Sequence, residues 1–323
     1  MLIGIAKLAQ AGETLARKSV VEYRSLPARS LLNRCSGERV PFDWTINPYR
    51  GCEFGCKYCY ARYTHEFMEL REPLDFERLI FAKEFDGRAF SRELRAVKAD
   101  DWIAIGTATD PYQPAERRYC LTQKVLRMFL RREGFQLAIT TKSDLVARDA
   151  SLLAAVGLRN RVRLNMTVTT LDVELARLLE PMAPRPDLRL GALAVLARAG
   201  VEVGVAASPV MPGINDGARS LEAIAQAAQV AGAGHFWAQP VFLKPCALAV
   251  FLPFLEERFP HLARTYREHF ARRSRIGGEY EMRLRATVEA LRGKYKLNRA
   301  AATPWGQMKL EFDWTVPQES VMK

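Results

Sequence analysis

The chain has 323 residues, 49% of them hydrophobic, and carries a formal net charge of +12 at pH 7. This length is sufficient for one α/β barrel with extensions or for two small domains, and the apolar fraction can fill a sizeable core. No uninterrupted apolar run reaches the length of a transmembrane helix, so the sequence excludes a helical membrane protein. Lys7 and Glu13 interrupt the short apolar stretch near the N-terminus, so we expect no secretory signal and a reducing, cytoplasmic location.

Residues 1–40 contain scattered Pro, Ser and Gly and predict an irregular N-terminal extension that covers the open side of the core. Residues 41–245 alternate between short apolar runs and amphipathic stretches, which predicts strands and helices of one core domain. The predicted strands are Trp44–Asn47, Trp102–Gly106, Phe135–Thr141, Val162–Val168, Val201–Ala207 and His235–Val241. The predicted helices are Arg117–Arg131, Leu145–Val156, Val173–Leu179, Pro186–Ala199 and Ala218–Val230.

Six strands joined by crossing helices predict a parallel sheet, and right-handed crossovers curl such a sheet into a partial (β/α)6 barrel of the TIM type. Parallel barrels bind ligands at the carboxyl ends of their strands, so the polar residues there are candidates for a site. Thr109 and Asp110 follow the second strand, Lys142 follows the third and Thr169 follows the fourth. These segments also have an ordinary interpretation, with Ser143 as a helix N-cap and Asp110 in a turn.

The loop after the first strand contains three cysteines within eight residues. Cys52, Cys56 and Cys59 have the spacing CxxxCxxC, and Gly51 and Gly55 allow the backbone to wrap closely around a bulky group. A cubane [4Fe–4S] cluster needs four ligands, so three thiolates from one loop leave the fourth iron open. An open ligand position is typical of catalytic metal sites.

This loop resembles the signature of radical SAM enzymes, which have an aromatic residue before the third cysteine, here Tyr58. The flanking segments Asn47–Cys52 and Cys59–Arg62, with Thr109–Pro114 downstream, resemble the branch related to spore photoproduct lyase, also called DNA repair photolyase-like. The resemblance covers residues 40–245. It implies a [4Fe–4S] cluster, S-adenosylmethionine on the open iron, and one-electron cleavage to methionine and a 5′-deoxyadenosyl radical that abstracts hydrogen. It also implies an external donor such as flavodoxin or ferredoxin.

The resemblance assigns roles to individual residues by position. Cys52, Cys56 and Cys59 become the cluster ligands. Lys142 would hold the carboxylate of S-adenosylmethionine, and Thr109 and Asp110 would receive its amino group. Thr169 would contact the ribose hydroxyls, and the ring of Tyr58 would pack against the cofactor.

One part of the lyase pattern is missing. Spore photoproduct lyases use a further cysteine beside the end of the second strand, whereas this chain has Gly106–Asp110 there, without a cysteine. The resemblance therefore does not extend to the dimer-lyase reaction. Cys35, Cys120 and Cys246 are isolated thiols of the kind that usually pack as small apolar side chains, although Cys246 follows the sixth strand and could reach the mouth of the pocket.

Residues 246–323 predict a basic helical C-terminal extension, with helices over Phe254–Phe270 and Met282–Leu297 and an extended segment over Trp305–Trp314. Residues 258–299 contain twelve Lys or Arg against four Asp or Glu, and such a surface could cover a phosphate backbone. The substrate could then be a lesion or modified base in nucleic acid, and it could equally be a protein or a small metabolite. The alternative is a solvated helical face on which arginines pair with neighbouring glutamates.

A different class of protein also fits the cysteine spacing. Cys52, Cys56 and Cys59 could hold a structural zinc ion together with His65 or Cys35, and the basic helices could bind nucleic acid without radical chemistry. This zinc-stabilised protein would be colourless and would ignore S-adenosylmethionine, whereas the radical enzyme would be brown and oxygen-sensitive.

Overall fold

The predicted alternation of strands and helices is present in a computed structural model that describes residues 4–35 and 41–298. The strands are β1 (Thr14–Lys18), β2 (Val21–Leu26), β3 (Leu32–Arg34), β4 (Trp44–Ile46), β5 (Tyr49–Arg50), β6 (Leu79–Lys83), β7 (Trp102–Ile105), β8 (Gln136–Thr141), β9 (Arg161–Thr167), β10 (Glu202–Val210) and β11 (His235–Pro240). The helices are α1 (Gly4–Ala11), α2 (Tyr63–Glu66), α3 (Asp75–Arg78), α4 (Gly87–Glu93), α5 (Glu116–Tyr119), α6 (Leu121–Arg127), α7 (Ala150–Gly157), α8 (Val173–Leu179), α9 (Pro186–Arg198), α10 (Ala218–Val230), α11 (Pro245–Arg258), α12 (Pro260–Phe270) and α13 (Glu279–Lys294).

The main sheet has the strand order β11-β10-β9-β8-β7-β4-β3. Its six strands from β4 to β11 pair in parallel, and β3 adds an antiparallel edge to β4. This arrangement confirms the partial (β/α)6 barrel and all six predicted strands. The carboxyl ends of the parallel strands lie on one edge, where β4 continues through β5 into the cysteine loop.

The two faces of the main sheet differ in chemistry. The face toward the helices is apolar and carries buried side chains such as Ile105, Leu137 and Leu164. The inner face carries buried polar residues, among them Arg163 and Asn165 of β9. Alternation along each strand produces this difference, because successive side chains point to opposite faces. The helices therefore provide the core, and the barrel interior remains polar.

Three predicted helices are interrupted, and in one of them, Leu145–Val156, a 3-10 helix over Asp144–Asp149 precedes α7. The stretch Arg117–Arg131 forms α5 and α6, which meet at Cys120 with a φ of +51°, in the left-handed region that breaks a helix. The stretch Phe254–Phe270 forms the end of α11 and all of α12, because Pro260 starts a new helix at its first position. None of the described helices is both long enough and apolar enough to cross a membrane.

The prediction of an irregular N-terminal extension is wrong. The described part of residues 1–40 forms α1, β1, β2 and β3, and β2 pairs in parallel with β6. The resulting second sheet has the order β1-β2-β6-β5 and reaches the cysteine loop through β5. The predicted extended segment Trp305–Trp314 lies outside the described residues, and the domain boundaries at 40 and 245 stay predictions.

Candidate functional site

The cysteine loop begins directly after β5, and its first glycine has no room for a side chain. Gly51 has a φ of +79°, and a Cβ there would lie 2.7 Å from the carbonyl oxygen of Leu79 and 2.8 Å from that of Phe76. The carbonyl of Gly51 accepts hydrogen bonds from the Thr109 hydroxyl (2.6 Å) and the Gln113 side-chain amide (2.9 Å). The segment after β7 therefore fixes the start of the loop.

The rest of the loop is held by backbone and arginine hydrogen bonds. The Lys57 amide donates to the carbonyl of Leu179 over 2.9 Å, which attaches the loop to the end of α8. The buried guanidinium of Arg62 donates to the Cys56 carbonyl over 3.2 Å and also pairs with Glu77. Protein contacts therefore fix the loop from two sides.

The three thiols of the loop are free and lie in a desolvated environment. Cys52 and Cys56 are buried, and Cys59 is partly exposed. Burial raises the pKa of Cys56 to about 12, although the nearby Lys142 opposes the shift. Burial also raises the pKa of Cys59, with Arg62 opposing it. A bound cation would offset this cost, because thiolates are the form that ligates iron. The donor set therefore fits a [4Fe–4S] cluster.

Lys142 lies at the carboxyl end of β8 with its ammonium 5.6 Å from the centre of the Tyr58 ring. Burial disfavours the charged ammonium, but Cys56 and Glu180 outweigh it and raise the pKa of Lys142. In the described part of the chain, no carboxylate forms a salt bridge with this ammonium. The site thus contains a protonated lysine that is available to an anionic group.

The Asp110 carboxylate lies beside Lys142 and is engaged in three hydrogen bonds. It accepts from the Thr141 hydroxyl (2.6 Å) and from the backbone amides of Lys142 (2.7 Å) and Tyr112 (2.9 Å). Burial raises the pKa of Asp110, and these donors oppose the shift. The turn interpretation of Asp110 is confirmed by this geometry, as is Ser143 as an N-cap. The part of Asp110 in cofactor binding stays a prediction.

Thr169 takes part in a buried network that the sequence did not reveal. Its hydroxyl donates to Glu180 over 2.6 Å and lies 3.2 Å from the Tyr58 hydroxyl, which also donates to Glu180. The second oxygen of Glu180 pairs with Arg189, which also donates to the carbonyls of Thr167 and Pro184. Four polar side chains therefore connect the segment after α8 and the start of α9 to Tyr58, the residue before the third cysteine.

A weak signal for Arg189 exists in the sequence. It lies on the same stripe of α9 as the buried residues Ala192, Leu193 and Leu196, at spacings of three, four and seven. A charged residue on an apolar stripe indicates a buried partner. The partner Glu180 comes after the end of α8, and no local pattern connects the two residues.

The structure also shows the contacts of Tyr60 and His65, which lie in and after the cysteine loop. Tyr60 donates its hydroxyl to the carbonyl of Thr107, and its ring meets Phe242 edge-on at 5.9 Å. His65 lies against the carbonyl of Leu79, with 3.0 Å between its Nε2 and that oxygen. Among the described residues, no three His, Cys, Asp or Glu side chains are grouped as a single metal ion requires. A cubane distributes its cysteines over separate irons and does not need such a group.

Comparison with known proteins establishes the class. The model of the radical SAM superfamily matches residues 46–225, and the chain belongs to this superfamily. An uncharacterized protein of Mycobacterium tuberculosis (strain H37Rv) is 31% identical over 279 residues, which cover 86% of this chain and 82% of that protein. An uncharacterized protein of Methanocaldococcus jannaschii is 28% identical over 208 residues, covering 61% of this chain and 71% of its relative.

The fold is shared with solved structures of spore photoproduct lyase. A mutant of that enzyme with bound AdoMet and dinucleoside spore photoproduct superposes with a TM-score of 0.60 at 16% identity, over 84% of this chain and 79% of the lyase. The chain is therefore a radical SAM enzyme with a lyase-like fold. Of the two classes that the cysteine spacing allowed, this membership selects the enzyme over the zinc-stabilised binding protein.

Proposed function

We propose that the chain holds a [4Fe–4S] cluster on Cys52, Cys56 and Cys59 and cleaves S-adenosylmethionine there. The observation that carries the proposal is the grouping of the three thiols at the carboxyl ends of parallel strands, with Cys56 and Cys59 near the Lys142 ammonium, which forms no salt bridge with a carboxylate among the described residues. When bound, cluster and cofactor would supply a 5′-deoxyadenosyl radical for hydrogen abstraction.

The residues at the strand ends would bind and orient the cofactor. Lys142 would hold the carboxylate as a compact point charge. Asp110 uses three of its four acceptor positions within the protein, and the fourth would take the cofactor's amino group. Thr109 and Thr169 donate their protons to protein oxygens and keep acceptor capacity, Thr109 for the amino group and Thr169 for a ribose hydroxyl.

The surroundings of the thiols would keep water away from the reacting atoms. Phe54, Tyr58, Leu179 and Met211 form one buried apolar cluster with Cys52 and Cys56. A dry site protects reactive intermediates from side reactions. All six cysteines of the chain are free, which supports the proposed reducing cytoplasm.

We propose a nucleic acid as the substrate class, supported by the basic C-terminal helices. The structure modifies that support, because several of the cations form ion pairs: Arg264 with Glu268, Arg283 with Glu279, Arg285 with Glu281 and Arg292 with Glu289. Arg272 and Arg273 are exposed on the turn after α12 and would contact phosphates.

The central experiment is anaerobic. The protein is reconstituted with iron and sulfide, reduced with dithionite and mixed with S-adenosylmethionine, and 5′-deoxyadenosine is measured. The wild type and a Cys120→Ala control should produce it, and Cys56→Ala should not. A colourless protein without cluster absorbance, or equal product from Cys56→Ala, would contradict the proposal.

The substrate class has its own test. Binding of a fluorescent single-stranded oligonucleotide should weaken with salt and with Arg272→Glu/Arg273→Glu, while Arg198→Glu/Arg219→Glu on α9 and α10 should bind as the wild type does. Equal affinity of the two double variants would exclude the basic turn as the contact.

A further inference from the structure

A surface cavity lies on the outer side of the cysteine loop. It has a volume of about 390 Å³ and is lined by Lys57 of the loop, by α8 with the segment after it, and by α11. Lys142, Asp110 and Thr169 are not among its described lining residues. The cavity is therefore separate from the strand ends at which the cofactor would bind.

The floor of this cavity belongs to the same apolar cluster as two of the cysteines. Phe254 lines the cavity and belongs to the same buried apolar cluster as Cys56 and Leu179. Lys57 directly follows Cys56 in the chain, and its amide is fixed to the carbonyl of Leu179 over 2.9 Å. A molecule that occupied the cavity would thus contact the cysteine loop next to Cys56, on the side away from the strand ends.

The rim of the cavity is positively charged and its centre is apolar. The lining contains three cationic side chains, those of Lys57, Arg177 and Arg258. It contains one carboxylate, Glu257, which is paired with Arg258 over 3.0 Å. Leu178, Val250, Pro253 and Phe254 supply the apolar part. An apolar centre with a charged rim is the usual composition of a transient protein–protein interface. A net positive rim selects a partner with an acidic surface and increases its association rate.

We propose that this cavity is the docking surface for an acidic electron-carrier protein of the flavodoxin or ferredoxin class. The inference rests on the proposed function, because reductive cleavage of S-adenosylmethionine requires an electron from outside. The carrier is oxidised by one electron, and the cluster is reduced by one electron. Electron transfer from this side leaves the carboxyl ends of the strands free for cofactor and substrate.

The test separates docking from the chemistry. Arg177→Glu/Arg258→Glu reverses two rim charges without changing the cysteine loop, and Arg198→Glu/Arg219→Glu reverses two exposed arginines on α9 and α10 as the matched control. Affinity for an oxidised bacterial flavodoxin, measured by flavin fluorescence at low salt, should fall about tenfold in the rim variant and stay unchanged in the control. Added salt should weaken wild-type binding and reduce the difference.

Activity provides the second readout. Flavodoxin-driven formation of 5′-deoxyadenosine should fall about tenfold in the rim variant, in parallel with its affinity. Dithionite-driven formation should remain at the wild-type level, because dithionite is small and needs no docking surface.

Three results would overturn the inference. The first is equal flavodoxin affinity in the two variants. The second is an equal loss with both reductants. The third is an oligonucleotide whose binding depends on Arg177 and Arg258 while flavodoxin binding does not. If the wild type makes no 5′-deoxyadenosine even with dithionite, the proposed function fails, and the docking inference fails with it.

Discussion

Two buried arginine–glutamate pairs lie at opposite ends of the barrel and differ in their contact with water. At the amino end of the strands, the side chain of Arg163 is 1% exposed but its partner Glu202 is 34% exposed. Beneath the cysteine loop, Arg189 and Glu180 are each 1% exposed. Removing both charges of a pair from water is expensive, so the second pair needs further partners to be tolerated.

The further partners are the difference between the two regions. Glu180 accepts from Tyr58 and Thr169 in addition to Arg189, and although burial raises its pKa, Arg189 and Lys142 outweigh burial and lower it. Arg163 pairs with Glu202 and lies 5.7 Å from the centre of the Trp102 ring. Glu202 keeps contact with water and has a second cation, Arg161, at 3.7 Å, whereas Glu180 has three protein donors and forms no salt bridge with Lys142 among the described residues.

The largest expected effect is on the free energy of unfolding when the glutamate of each pair is removed. Glu180→Ala leaves Arg189 buried and unpaired and should lower the free energy of unfolding by about 4 kcal/mol. Glu202→Ala should cost about 1 kcal/mol, since water already reaches that carboxylate. Urea unfolding of both variants measures the difference, and equal losses would show that burial does not separate the two regions.

Buried His235 should make the free energy of unfolding depend on pH. Burial lowers the pKa of His235 from its ordinary value of 6.5 to about 3, so the folded protein excludes a proton that the unfolded chain binds below pH 6.5. Between pH 7 and pH 5 this histidine should therefore cost about 2 kcal/mol of stability. His235→Gln should show a flatter profile in urea unfolding, and a profile as steep as that of the wild type would contradict the assignment.

Removing the arginine of the Glu180–Arg189 pair tests whether this pair, unlike the Glu202–Arg163 pair, affects cofactor binding. Arg189→Met frees the Glu180 carboxylate to pair with Lys142, so the Kd of S-adenosylmethionine for the reconstituted protein should rise about tenfold. Glu180→Gln/Arg189→Met removes both charges and should restore binding. The matched pair Glu202→Gln/Arg163→Met should leave the Kd unchanged. Calorimetry measures all four proteins, and a double variant as weak as Arg189→Met would exclude competition for Lys142.

The smallest expected effect concerns the Tyr58 hydroxyl. Tyr58→Phe removes one donor from Glu180 and should cost about 1 kcal/mol of stability. The ring remains beside Lys142, so the Kd of S-adenosylmethionine should stay within about twofold of the wild type. A large loss of binding in Tyr58→Phe would mean that the hydroxyl itself contacts the cofactor.

The sequence predicted the main sheet well because its strands are buried on the helix face and appear as short apolar runs, such as Trp102–Ile105. It did not predict the second sheet, since β1 contains Arg17 and Lys18 at exposed positions and β2 finds its partner β6 far along the chain. Local patterns carry no information about such a pairing.

The same limit applies to the site. The cysteines and the polar strand ends are local signals, and the structure places the Lys142 ammonium 5.6 Å from the centre of the Tyr58 ring. Glu180 and Arg189 were missed because only the tertiary structure shows that the residue after α8 meets the start of α9. The sequence predicts that Thr109 contacts the cofactor. It does not predict that the Thr109 hydroxyl donates to the Gly51 carbonyl, because that bond is a tertiary contact.

The pairing of β2 with β6 and of β6 with β5 has a consequence for biogenesis. During translation, the N-terminal strand leaves the ribosome well before Leu79–Lys83 is synthesised, and β5 can be fixed only after that segment arrives. The cysteine loop follows β5 directly, so its final shape depends on segments from both sides of it in the chain. A chain that ends before Lys83 therefore lacks part of the partner strand of β5, and the start of the cysteine loop is not yet fixed by the second sheet.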